Sequence, residues 1–93
     1  MKRKSSARVW DALKDTPAAA ENMKLRSSLM IALKNHIDAK GLNQSQAAAL
    51  FRVTQPRVSD LLRGKITLFS LDTLVNMVAA AGLHVEIIVA EAA

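Results

Sequence analysis

Ninety-three residues, 51% hydrophobic but only 3% aromatic, describe one small domain whose core is built from Leu, Val, Ile, Ala and Met, a composition that suits packed helices. The sequence holds no cysteine, which excludes a disulfide framework and any thiolate-based zinc or redox site. No run approaches the roughly 18 apolar residues of a membrane span, and the net charge of +5 directs attention to anionic partners.

Residues 1–16 read as a basic arm with a short helix. Lys2, Arg3, Lys4 and Arg8 carry charge without an acid among residues 1–8, and polar Ser5 and Ser6 stand where an export signal would need an apolar run, so a cytoplasmic protein is expected. Val9, Trp10 and Leu13 then form one apolar face of the short helix. Trp10 suits two roles, a packing residue that staples the arm to the next helix or an anchor for a partner protein.

The main domain is expected over 17–82. Thr16-Pro17 is a cap followed by proline at the first helical position, and the helical pattern runs to about Lys40. Leu25, Leu29, Leu33 and Ile37, spaced four apart, are its expected buried stripe, and Gly41 its left-handed C-cap. Asn43 caps the next element. The segment QSQAAALFRVTQPRVSDLLRG, Gln44 to Gly64, predicts two short helices joined by a tight turn. Ala48 falls where the two helices cross, and Val53, Val58 and Leu61 hold the second against the first. Thr54 is an N-cap, and Pro56 is tolerated in the first turn because its missing N–H costs nothing there.

The side chains left near the start of the second helix are Gln55, Arg57 and Ser59, types that read base edges and hold phosphates in a DNA major groove. The pattern is that of a helix-turn-helix. Beyond Gly64, the loop KITLF leads to Ser70, another cap, and a helix from about Leu71 to Ala81 that buries Leu71, Leu74, Val75 and Val78 and ends at Gly82.

The period changes in residues 83–93. Leu83, Val85, Ile87 and Val89 alternate with His84, Glu86 and Ile88, which predicts a β-strand and tail. A single strand cannot satisfy its own backbone. It must pair with the segment near Val9 or with its own copy in a second subunit. The second option is preferred because it yields a symmetric dimer, with Val85, Ile87, Ile88 and Val89 as the dimerisation residues. The expected fold is therefore mainly α, about five helices around a helix-turn-helix, with a C-terminal β-strand.

Charge placement agrees with a nucleic-acid partner. Residues 41–65 carry Arg52, Arg57, Arg63 and Lys65 against Asp60 alone, while residues 66–93 hold no Lys or Arg. Positive charge thus gathers in the arm and the helix-turn-helix, where a phosphate backbone would attract it. His36 and His84 are too isolated for a metal site. No residue grouping has catalytic spacing, and no glycine-rich phosphate loop occurs, so neither an enzyme nor a bound cofactor is expected.

The segment from Gln44 to Gly64 resembles the helix-turn-helix of the Cro and lambda-repressor (Xre) family. Residues 33–87, through TQPRVSDLLRGK, SLDTLV and AAGLHVEI, resemble antitoxins of the HigA type, which pair with a RelE/HigB-like ribonuclease toxin. The resemblance implies a homodimer that binds a palindromic operator in double-stranded DNA, represses its own operon and neutralises such a toxin. A phage-type repressor without a toxin is the alternative. The resemblance also assigns roles. Gln44 contacts phosphate, and Gln55 reads bases and bonds to Gln44. Arg57 and Ser59 lie on the exposed side of the recognition helix, with Arg57 able to grip a guanine bidentately. Thr54 donates to a phosphate, and Arg63 and Lys65 clamp the backbone. Asp60 is less suited to face DNA because a carboxylate near phosphates is unfavourable. Val9, Trp10 and Leu13 are the residues set aside for toxin contact. One departure stands out: the turn position that usually carries glycine is Arg52. A non-glycine residue there costs on the order of 1 kcal/mol, so either the turn differs slightly or, the preferred reading, the strain is tolerated because Arg52 adds a phosphate contact.

Overall fold

Thr16 opens the first helix of the computed structural model, which describes residues 16–91. Its hydroxyl accepts from the Ala19 N–H, and helix α1 runs Pro17–Lys40. Helix α2, Gln44–Phe51, starts on a capping box in which Asn43 and Gln46 exchange side-chain-to-backbone bonds of 2.8 and 2.9 Å. Helix α3, Gln55–Leu62, is capped by Thr54, and a short 3-10 turn, Ile66–Leu68, leads to Ser70 and helix α4, Leu71–Ala80. Helices α1, α3 and α4 each end on a glycine at positive φ, with the following N–H reaching back to the carbonyl five residues earlier. These caps stop the helices where the chain must turn back.

The core collects Met30, Leu33 and Ile37 from α1, Ala47, Ala48 and Phe51 from α2, and Val58 and Leu61 from α3. Phe69 and the α4 residues Leu74, Met77 and Val78 complete it. Helix α1 runs along α4, α3 and the 3-10 turn, and α2 packs between α3 and α4. The long helix is thus a platform that presents the α2–α3 pair.

Three expectations need correction. The buried face of α1 is Ala19, Arg26, Met30, Leu33 and Ile37, whereas Leu25 is 41% exposed. A row spaced strictly by four drifts about 40° per step around a helix of 3.6 residues per turn, so alternating steps of four and three track the core better. On α4 the buried set is Leu74, Met77 and Val78, with Val75 turned outward.

The described residues hold four α-helices, and the expected short helix with Val9, Trp10 and Leu13 falls outside them. Finally, residues 83–91 form no strand. A β-strand exists only through a hydrogen-bonded neighbour, and the described residues of one subunit supply none. Of the expected dimerisation residues, Val85 packs against the core while Ile87, Ile88 and Val89 are exposed.

Candidate nucleic-acid interface

The helix pair is held by small, fully apolar contacts. Ala47 and Ala48 on α2 and Val58 and Leu61 on α3 are buried, and α2 packs directly on α3. The turn between them begins at Arg52, which adopts φ 60° and ψ 45°, the left-handed conformation that glycine occupies at the other three helix ends. Its N–H and that of Val53 both donate to the Ala48 carbonyl. Ala48 therefore serves the crossing twice, by a small side chain and by its carbonyl. The Arg52 side chain is exposed.

Thr54 then caps α3 by accepting the Arg57 N–H at 3.3 Å, with Pro56 in the first turn. With Val58 and Leu61 facing the core, Pro56, Asp60 and Arg63 (i, i+4, i+7) form the ridge on the opposite side. Gln44, Thr54, Gln55, Arg63 and Lys65 are exposed, and Arg57 and Ser59 are half-buried. No hydrogen bond joins Gln44 to Gln55 among the described residues, so both amides keep their capacity for an outside ligand.

Arg57 is docked rather than extended. One guanidinium nitrogen, Nη1, donates to the Leu68 carbonyl at 3.2 Å and lies 3.9 Å from Asp60, and the guanidinium sits 5.4 Å from the centre of the Phe69 ring. The other oxygen of Asp60 lies 3.9 Å from the Lys65 ammonium. The recognition helix is thereby tied to the turn that follows it through Arg57, Asp60 and Lys65.

That turn has a second anchor, Arg26, which sequence reasoning missed. It is the one buried charged residue among those described, 6% exposed. Its Nη1 donates to the carbonyls of Ile66 at 3.0 Å and Phe69 at 3.4 Å, and its Nε donates to Asn22 at 2.6 Å. The guanidinium supplies a donor to the Phe69 carbonyl and adds a second one to the Ile66 carbonyl, which already accepts the Phe69 N–H at 3.1 Å. A signal was present: Arg26 stands four residues before Met30 on the same row as Leu33 and Ile37.

A buried hydrophobic brace, a capped helix with polar residues at its start and a basic turn on either side make this a helix-turn-helix. Comparison with known proteins agrees. Residues 12–90 match the family described as a helix-turn-helix domain, and the chain belongs to that family. A solved structure described as an XRE family transcriptional regulator is similar at 34% identity and a TM-score of 0.72, covering 80% of this chain and 83% of that one. No curated protein matches. No described helix is long and apolar enough to cross a membrane.

Proposed function

We propose that the protein is a sequence-specific DNA-binding repressor that acts as a homodimer on a palindromic operator. The observation that carries this reading is the α3 N-terminus, where Thr54 caps a helix whose inner residues Val58 and Leu61 are locked in the core while Gln55, Arg57 and Ser59 stay accessible. A helix held that way enters the major groove with its first turn leading. In this reading Gln44, Arg52, Thr54, Arg63 and Lys65 bind phosphates, and Gln55, Arg57 and Ser59 read base edges. The likeness to an XRE family regulator supports the same assignment.

The dimer is proposed to form through residues 83–93. Ile88 and Val89 are 92% and 90% exposed, and with Leu25, Val75 and Ile87 they leave an apolar surface unusual for a lone small subunit. The resemblance of residues 33–87 to HigA-type antitoxins extends the proposal to autoregulation and to neutralising a RelE/HigB-like toxin, with Val9, Trp10 and Leu13 outside the described residues as the contact segment.

The test compares two variants in DNA-binding titrations against operator and random duplexes. Arg57→Ala is expected to cost about 1–3 kcal/mol and relax specificity at one base pair, whereas Lys65→Ala weakens binding to all sequences alike. Uniform losses in both variants would show that Arg57 is not a base reader. Co-purification of a small basic ribonuclease encoded beside the gene tests the antitoxin role, and a lone repressor gene without such a neighbour supports the phage-type alternative.

A further inference from the structure

We infer that Asp60 is a specificity-determining residue that offsets the charge of Arg57 and Lys65 toward every phosphate and holds the Arg57 fork for one base edge; the inference rests on the DNA-binding reading above. Asp60 is the only acid between residues 41 and 65, in a stretch that carries four basic side chains. It does not sit at the margin of that stretch. On α3 it belongs to the ridge opposite Val58 and Leu61, between Pro56 and Arg63. A carboxylate at the centre of a phosphate-binding face lowers affinity for every sequence. Such a cost suits discrimination, because specificity is a difference of affinities and repulsive elements supply part of it.

The geometry shows how the loss is made selective. The two carboxylate oxygens divide their work, Oδ2 at 3.9 Å from Arg57 Nη1 and Oδ1 at 3.9 Å from Lys65 Nζ. The carbonyl of Asp60 also accepts the Lys65 N–H at 3.0 Å, so the pairing is fixed by backbone as well as by side chain. Arg57 is further held by the Leu68 carbonyl and the Phe69 ring. On random DNA, Arg57 and Lys65 gain a phosphate only by exchanging one anion for another, and the net return is small. On the operator the same brace holds the Arg57 fork in a fixed place, so a guanine edge meets a donor set whose ordering entropy is already spent. Asp60 is a positioning residue in this scheme, acting through Arg57 and Lys65 rather than on the bases.

The experiment measures binding of full-length protein to operator and random duplexes over a range of salt concentrations, for wild type and for Asp60→Asn, Asp60→Ser and Asp60→Glu. Circular dichroism confirms that each variant is folded. Asp60→Asn is expected to tighten binding to random duplex several-fold and to steepen its salt dependence by about one phosphate contact per subunit. The ratio of operator to random affinity then falls about tenfold. Asp60→Ser behaves like Asp60→Asn, and Asp60→Glu, which keeps the charge, retains most of the discrimination. If folded Asp60→Asn has the wild-type ratio and salt slope, or loses affinity for both duplexes equally, the inference is overturned while DNA binding stands. If wild-type protein discriminates among no duplexes, the sequence-reading proposal falls and this inference with it.

Discussion

Arg26→Met keeps the volume of the buried side chain but removes the donors that Ile66 and Phe69 share. The Phe69 carbonyl then loses its donor while the Ile66 carbonyl keeps the Phe69 N–H, and a buried carbonyl left without a partner costs about 1–3 kcal/mol, so urea unfolding should show a loss of that size. Because Arg26 bonds the turn that also receives Arg57, operator affinity should fall further than the stability loss explains at temperatures where the variant is folded. Arg52→Gly should act in the opposite sense. Arg52 holds φ 60° where glycine carries no Cβ penalty, and relief of that strain is expected to raise stability by about 0.5–1 kcal/mol. Random-duplex binding at low salt should weaken in the same variant if the guanidinium holds a phosphate, and equal affinity would remove Arg52 from the interface. These two arginines differ in how far the sequence revealed them. The turn spacing exposed Arg52 directly, since three other helix ends carry glycine there. Arg26 was hidden because charged residues are rarely buried, and its partners are backbone carbonyls about forty residues away that no local pattern marks.

Elements were more legible than faces. Thr16, Asn43, Thr54 and Ser70 each cap the helix that the local residues announce, because capping is decided within four residues. Thr54→Ala should therefore cost about 0.5–2 kcal/mol by removing the hydroxyl acceptor of the Arg57 N–H, which is left with the Thr54 carbonyl alone; thermal unfolding measures the loss, and DNA binding should weaken through fraying of the first turn of α3. A variant with unchanged stability would mean that Pro56 alone starts the helix. The burial of α1 was less legible. Of the expected stripe, Leu33 and Ile37 are buried and Leu29 packs against the core, yet Leu25 is exposed and Met30 joins instead, because a helix with apolar residues on more than one face does not say which face its neighbours will choose. The segment Leu83–Val89 shows the same limit in another form. Its alternation is a preference for pairing, and pairing is a property of two strands.

At the scale of the molecule, apolar surface and positive charge lie in different places. Leu25 and Val75, 41% and 42% exposed, line a groove with Leu29, Leu71, Val85, Ile87 and Ile88, and the same end of the chain carries no Lys or Arg beyond residue 65. Charge and apolar surface are thus segregated: basic side chains gather in the helix-turn-helix, while the acidic C-terminal region, with Asp72, Glu86 and Glu91, carries the apolar groove. A two-fold dimer built on that region would double both the operator length and the number of phosphate contacts. Deleting residues 83–93 should yield a monomer by sedimentation, with the four helices intact by circular dichroism. Its affinity for a duplex with two half-sites should fall by at least about a hundredfold, because the second half-site is no longer bound at high effective concentration. Affinity for a single half-site should change little, since Gln55, Arg57 and Ser59 lie on an element that the deletion leaves in place. A truncated chain that still sediments as a dimer would move the interface to Leu25, Leu29 and Val75 alone, and Leu25→Glu would then be the variant that separates the subunits.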